Sequence, residues 1–205
     1  GSSNLSRVGG VSSELKELMY GWLLDNYNLM GGAASVGHRQ TMLNPTSTAI
    51  GFGTAIGDSA LTMNNDGSGK WPWDANPTTE TINFPAVNLF PASIVESGIK
   101  WSVDFGAVSS YSSAKISNVT VKNLTTGKTI TIAQDELIDT SAYSRNGNSS
   151  VAFNVDDSIG IQAGDKYQVS VATDQGAYSY TFKLYDDSKQ YTADDTLAKA
   201  TAALA

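Results

Sequence analysis

The sequence contains no cysteine and a single histidine, His38. Disulfides, Cys-ligated zinc and thiol nucleophiles are therefore excluded. So is any site needing two imidazoles from one chain, HExxH zinc chemistry among them. Charge is also sparse, with Asp, Glu, Lys and Arg making up only 16% of the 205 residues. Basic residues number 13 against 20 acidic ones, a net charge of −7. An acidic chain without clustered Lys and Arg is a poor partner for a phosphate backbone, since counterion release needs a cationic footprint. No stretch approaches the roughly 20 apolar residues of a bilayer-spanning helix.

What the chain does have is an apolar share of 40%, together with 19 Gly and many Ser, Thr and Asn. That composition describes an uncharged-polar surface around a foldable core, so wholesale disorder is not expected. A cysteine-free, Ser/Thr/Asn-rich acidic chain suits a bacterial exported protein that folds without oxidation. No signal peptide opens the sequence, so export implies a mature or trimmed form.

Two halves differ in hydrophobic period. From Ser12 to Tyr27, Leu15, Leu18, Met19, Trp22 and Leu23 recur at helical spacing. Ser13 is a suitable N-cap, Glu14 and Glu17 sit near the positive end of the dipole, and Asn26, Asn28 and Gly31–Gly32 should stop the helix. A shorter helix is expected over Ser35–Leu43, closed by Asn44–Pro45. Ala49–Ala55 and Ala60–Asn64 read as two strands joined by a turn around 56–58, with Gly51 and Gly53 marking close backbone approach or a bulge.

Residues 64 to 80 are a loop by composition, and beyond them the pattern is β throughout. Strands are expected over 81–84, 100–105, 115–123, 129–133, 150–155, 166–172 and 178–184, with turns at Thr125–Lys128 and Gln162–Asp165. Seven short strands with turn signals between them predict an antiparallel immunoglobulin-like sandwich. Its core should be built largely from Trp101, Val103, Phe105, Val119, Val121, Phe153, Val169, Val171 and Phe182. The expected organisation is a first domain over 1–66, a linker loop over 67–77, a β-sandwich over 78–187 and an Ala-rich tail over 188–205, read as a terminal helix or frayed linker.

The block Gly37-His38-Arg39-Gln40-Thr41-Met42-Leu43-Asn44-Pro45, followed by Ile50-Gly51-Phe52-Gly53, closely resembles the GHR…LNP…GxG signature of bacterial CAP proteins. These are the cysteine-rich secretory protein, antigen 5 and pathogenesis-related 1 superfamily, also called SCP-like extracellular proteins. Gly21-Trp22-Leu23-Leu24-Asp25-Asn26-Tyr27 resembles the family's W-x-x-E/D-x-x-Y helix, and Ser3-Asn4-Leu5 sits where the family has G-E-N-I/L. Trp71-Pro72, Phe84-Pro85, Phe90-Pro91 and Trp101-Ser102-Val103 look like the segment opening the β-domain that follows CAP in some of these proteins. The resemblance implies the later part of an α/β/α CAP sandwich followed by the β-domain. The family's cavity tetrad is two His and two acidic residues. By this resemblance His38 matches one His, Asp25 matches one acid, Ser3 stands where the other acid would be, and the second His has no counterpart.

Read on their own residue types, these positions allow two chemistries. His38 either is a hydrogen-bonded structural residue or forms a ligand-facing pair with Asp25, whose carboxylate would favour the imidazolium. A triad through Ser35 or Ser3 would need an oxyanion hole and a nucleophile elbow, and the sequence shows neither. Trp71 and Trp73 could stack on sugar rings or pack between domains. The pairs Asp156–Asp157 and Asp186–Asp187 lack EF-hand spacing and read as turn carboxylates. Asn118, Asn123 and Asn148 open N-x-S/T patterns that, in a bacterial protein, mark only Asn-rich turns and strands.

The expected function is therefore a non-catalytic secreted or wall-associated module for binding, adhesion or spacing, with no metal and no cofactor. The alternatives are a binder of a small apolar ligand such as a lipid and, third, a hydrolase using His38. Expected partners are a second copy of the chain or a retained N-terminal CAP half that covers the incomplete sandwich, and a cell-wall or host surface component. Nucleic acid and a membrane span are not expected.

Overall fold

The computed structural model describes residues 2–7, 15–26, 28, 31–43, 49–55, 58–64, 81–95, 98–144 and 147–188. The Ser13 cap, the Asn44–Pro45 helix stop, the turn residues 56 and 57, the loop with Trp71 and Trp73 and the tail beyond Ser188 lie outside them. Two compact units divide the chain. One comprises Gly1–Ile82, Asp104–Ser113 and Ile138–Ala152; the other comprises Asn83–Val103, Ala114–Leu137 and Phe153–Ala205. No helix among the described residues is long and apolar enough to cross a membrane.

In the first unit, strand β1 (Ser2–Arg7) is followed by helices α1 (Leu15–Leu24) and α2 (Gly37–Met42) and by strands β2 (Ala49–Ala55) and β3 (Asp58–Asn64). The three strands form an antiparallel sheet in the order β1-β3-β2. The β2–β3 hairpin follows the sequence reading closely. Strand β1 was not anticipated: its SSNLSR sequence has one apolar residue and no period-2 pattern, so its pairing with β3 creates the strand.

Helix α1 ends three residues before the expected Tyr27. Asp25 takes a left-handed conformation, with φ of 57°, and its N–H closes back on the Gly21 carbonyl at 2.9 Å. A left-handed residue at the first non-helical position ends a helix, and Asp is among the few non-glycine residues that adopt it. A 3-10 turn over Gly32–Ala34 precedes α2, which is shorter at both ends than the expected 35–43. An α/β/α layering of this part of the chain is not seen among the described residues.

The remaining strands are β4 (Thr81–Phe84), β5 (Asn88–Pro91), β6 (Trp101–Phe105), β7 (Ile116–Asn123), β8 (Thr129–Ala133), β9 (Ile138–Asp139), β10 (Ser150–Phe153), β11 (Lys166–Thr173) and β12 (Gly176–Tyr185). They form a four-stranded sheet, β4-β6-β10-β9, and a five-stranded sheet, β5-β12-β11-β7-β8. The molecule is mostly β with few helices, an arrangement compatible with a β-sandwich. One expectation is corrected: the five-stranded sheet is not wholly antiparallel, because β5 pairs parallel with β12, Phe90 opposite Leu184. The chain leaves the four-stranded sheet after Phe84, passes the cis Phe84–Pro85 peptide and joins the other sheet at Asn88.

All nine expected core residues are buried, at no more than 1% exposed. The core of the second unit is aromatic. The Trp101 ring meets Phe153, Tyr167 and Phe182, with centroids 6.4, 6.1 and 5.3 Å away. Such tilted and edge-to-face pairs contribute beyond area burial alone. The β7–β8 hairpin is set by Asn123, whose Oδ1 accepts the Thr125 and Thr126 N–H groups at 3.0 and 3.1 Å. Gly127 supplies the positive φ of 81° that the turn needs.

Candidate functional site

The end of α1 and the start of α2 bring Asp25 and His38 together. Asp25 is buried, and its left-handed backbone aims the carboxylate at the N-terminus of α2. There Oδ2 accepts the backbone N–H of His38 at 2.9 Å and of Arg39 at 3.3 Å. Oδ1 meets the His38 ring at Nδ1, 2.8 Å away. Such a contact sets the imidazole orientation, and in the neutral ring it places the proton on Nδ1 and the acceptor lone pair on Nε2. The His38 side chain is 29% exposed while that of Asp25 is 1% exposed.

Arg39 completes the arrangement from the other side. Its Nε donates to the Leu23 carbonyl at 2.6 Å and its Nη2 to the Leu24 carbonyl at 2.8 Å. These are among the carbonyls that the end of α1 leaves without helical partners. Arg39 is only 1% exposed. Burial lowers its pKa to about 10, partly offset by the Asp25 carboxylate, so the guanidinium stays charged at neutral pH. Asp25 thus caps α2 while Arg39 caps α1. The two charges share one buried seam between the helices.

Gln40, the next residue along, is also buried. Its Nε2 lies 3.0 Å from Ser150 Oγ, 3.4 Å from Asp104 Oδ2 and 3.5 Å from the carbonyl and the Oγ1 of Thr140. Thr140 and Ser150 are bonded to each other at 2.7 Å through their hydroxyls. Sequence reasoning placed Gln40 in the motif but gave it no role. Its partners lie between 64 and 110 residues away, so no local signal points to them.

Ser3, the third expected position, lies in β1 opposite Thr62 of β3, and only its backbone is described. Ser35 is buried, and its hydroxyl has no hydrogen-bond partner among the described residues. Among those residues no group of three His, Asp or Glu side chains is placed to hold a metal ion. Of the sequon-like positions, Asn123 is fully buried, its amide donating to Asp165 Oδ2 at 2.8 Å and to the Gly160 carbonyl at 3.1 Å. Asp156, expected as a turn carboxylate, accepts the Ser158 N–H at 2.8 Å. Asp187 bonds both the N–H and the hydroxyl of Ser93. Comparison of the sequence with protein-family models and with curated proteins finds no match.

Proposed function

We propose that this chain is a non-catalytic surface module of a secreted or wall-associated bacterial protein, in which a CAP-like segment accompanies an immunoglobulin-like β-sandwich. The observation carrying the non-catalytic reading is the use made of Asp25. Both of its oxygens are engaged in fastening α2, and its neighbour Arg39 fastens α1. A His–Asp pair embedded in reciprocal helix caps is a structural clamp first.

The immunoglobulin-like reading is supported by Tyr167. It is the second residue of β11, and its hydroxyl donates to the Gly160 carbonyl at 2.6 Å while accepting the Gln162 N–H at 3.3 Å. A tyrosine that bonds back to the backbone just upstream of its strand is a recurrent corner device of such sandwiches.

The second reading is a hydrolase using His38, favoured by the bond between the ring and a buried carboxylate. Two measurements on the full chain separate the readings: co-sedimentation with isolated bacterial cell walls, and turnover of ester and peptide substrates by the wild type and by His38→Ala. The surface-module reading expects pelleting with walls and no turnover above buffer. Turnover that disappears in His38→Ala would establish the hydrolase instead.

A further inference from the structure

We propose that the outer face of the five-stranded sheet is a docking surface for an acidic polysaccharide. The inference rests on the surface-module reading above and names the class of partner. The face is built by β8, β7, β11 and β12, which are neighbours in that order. In each, the alternate residues Ile132, Val119 and Val121, Val169 and Val171, and Phe182 and Leu184 point into the core. The intervening residues therefore share the opposite face.

The pairing registers arrange these residues in rows across the strands. One row reads Thr131, Thr120, Ser170, Ser179. Its hydroxyls bond pairwise, Thr120 with Thr131 at 3.4 Å and Ser170 with Ser179 at 3.0 Å. The next row reads Thr129, Lys122, Gln168, Thr181. Beyond it Lys166 stands directly opposite Lys183. These rows carry mainly hydroxyl, amide and ammonium groups; at the β5 edge Lys183 is paired with Leu89, and Tyr185 follows on the same side of β12.

Polar residues on the outside of a sheet need no explanation in themselves. The sign of the charge does. None of the chain's 20 acidic side chains falls in these four strands, although acids outnumber bases in the whole sequence. Strand propensity disfavours Lys along with Glu, so propensity alone does not select one sign. Placing Lys166 opposite Lys183 adds a cross-strand repulsion that destabilises the sheet. A repulsive cationic pair on a carboxylate-free face is explained by an anionic partner that lies across it.

The same features narrow the partner. Three ammonium groups on a chain of net charge −7 are too few to neutralise a nucleic-acid backbone. A lipid surface calls for a broad apolar anchor, whereas the large apolar side chains of this face are confined to Leu89 and Tyr185 at its β5 edge. A polysaccharide with spaced carboxylates and many hydroxyls matches isolated lysines set among hydroxyl and amide groups.

The test is affinity electrophoresis of the full chain through gels containing sodium polygalacturonate, with neutral dextran, polyphosphate and anionic phospholipid vesicles as comparison arms. The expected result is retardation by polygalacturonate and not by dextran, weakened about tenfold or more in the combined Lys122→Gln, Lys166→Gln, Lys183→Gln variant. Lys115→Gln, outside the rows, should leave retardation unchanged. The triple variant should melt at or above the wild-type temperature, which excludes misfolding as the cause. Equal retardation of wild type and triple variant would overturn the inference, as would loss of retardation in Lys115→Gln or stronger binding to polyphosphate or vesicles. If the triple variant still pellets with cell walls as the wild type does, the docking face is wrong while the surface-module reading stands. If the wild type fails to pellet yet binds polygalacturonate through these lysines, the reverse holds.

Discussion

Replacing Asp25 with Ala would strip two backbone N–H groups and the His38 ring of their acceptor, and would put Ala at a left-handed φ that Asp tolerates better. Loss of about 2–4 kcal/mol is expected, read as a lower urea midpoint with unchanged slope. Arg39→Lys should not rescue the partner cap. Lysine cannot present two donors in a fixed fork to the Leu23 and Leu24 carbonyls. A Lys variant as stable as the wild type would count against the clamp. Tyrosines give the second residue-scale prediction. Burial pushes Tyr167 up to about 12 and Tyr180, packed beside Tyr178, well above the ordinary value of 10. Both keep their protons in the folded state after the unfolded chain has begun to lose its own. Stability should therefore be full below about pH 10 and fall as pH rises through and above it, by about 1.4 kcal/mol per pH unit for each retained proton. Urea melts between neutral pH and pH 11 would show the decline, and Tyr180→Phe should flatten it.

At the scale of elements, the five-stranded sheet contains a pair that costs stability and a ring that supplies it. Lys183→Thr removes the repulsion opposite Lys166 and substitutes a better strand former. A gain of roughly 0.2–1 kcal/mol is expected, measured as a raised Tm. Trp101→Ala should cost about 3–5 kcal/mol, because three aromatic partners lose their contact around an unfilled space. A smaller loss would mean that the core can collapse into the vacated volume. Helix α2 is only six residues long and is too short to persist by propensity. Its stability comes from the Asp25 cap and from the Gln40 amide, so amide exchange across Gly37–Met42 should accelerate in Gln40→Ala as well as in Asp25→Ala.

At the scale of the molecule, the compact units do not follow the order of the chain, since 104–113 and 138–152 fall in the same unit as residues 1–82. An excised 78–187 fragment lacks Gln40, the hydrogen-bonding partner of Asp104, Thr140 and Ser150. It should unfold at a lower temperature than the full chain. A fragment as stable as the whole would show that the β half is self-sufficient. The sequence alone determined the two helices, the β2–β3 hairpin, most later strands and all nine core positions. These follow from period-3.6 and period-2 apolar spacing, which local burial enforces within a few residues. It also singled out Asp25 and His38. Three features were decided only by tertiary structure. Strand β1 exists through its pairing with β3 rather than through its own pattern. Strand β5 takes a parallel partner, β12, from the far end of the chain. Gln40 finds its partners 64 to 110 residues away. Apolar periodicity records which face of an element is buried, whereas the position of a distant partner is set by the packing of the whole chain and leaves no local trace.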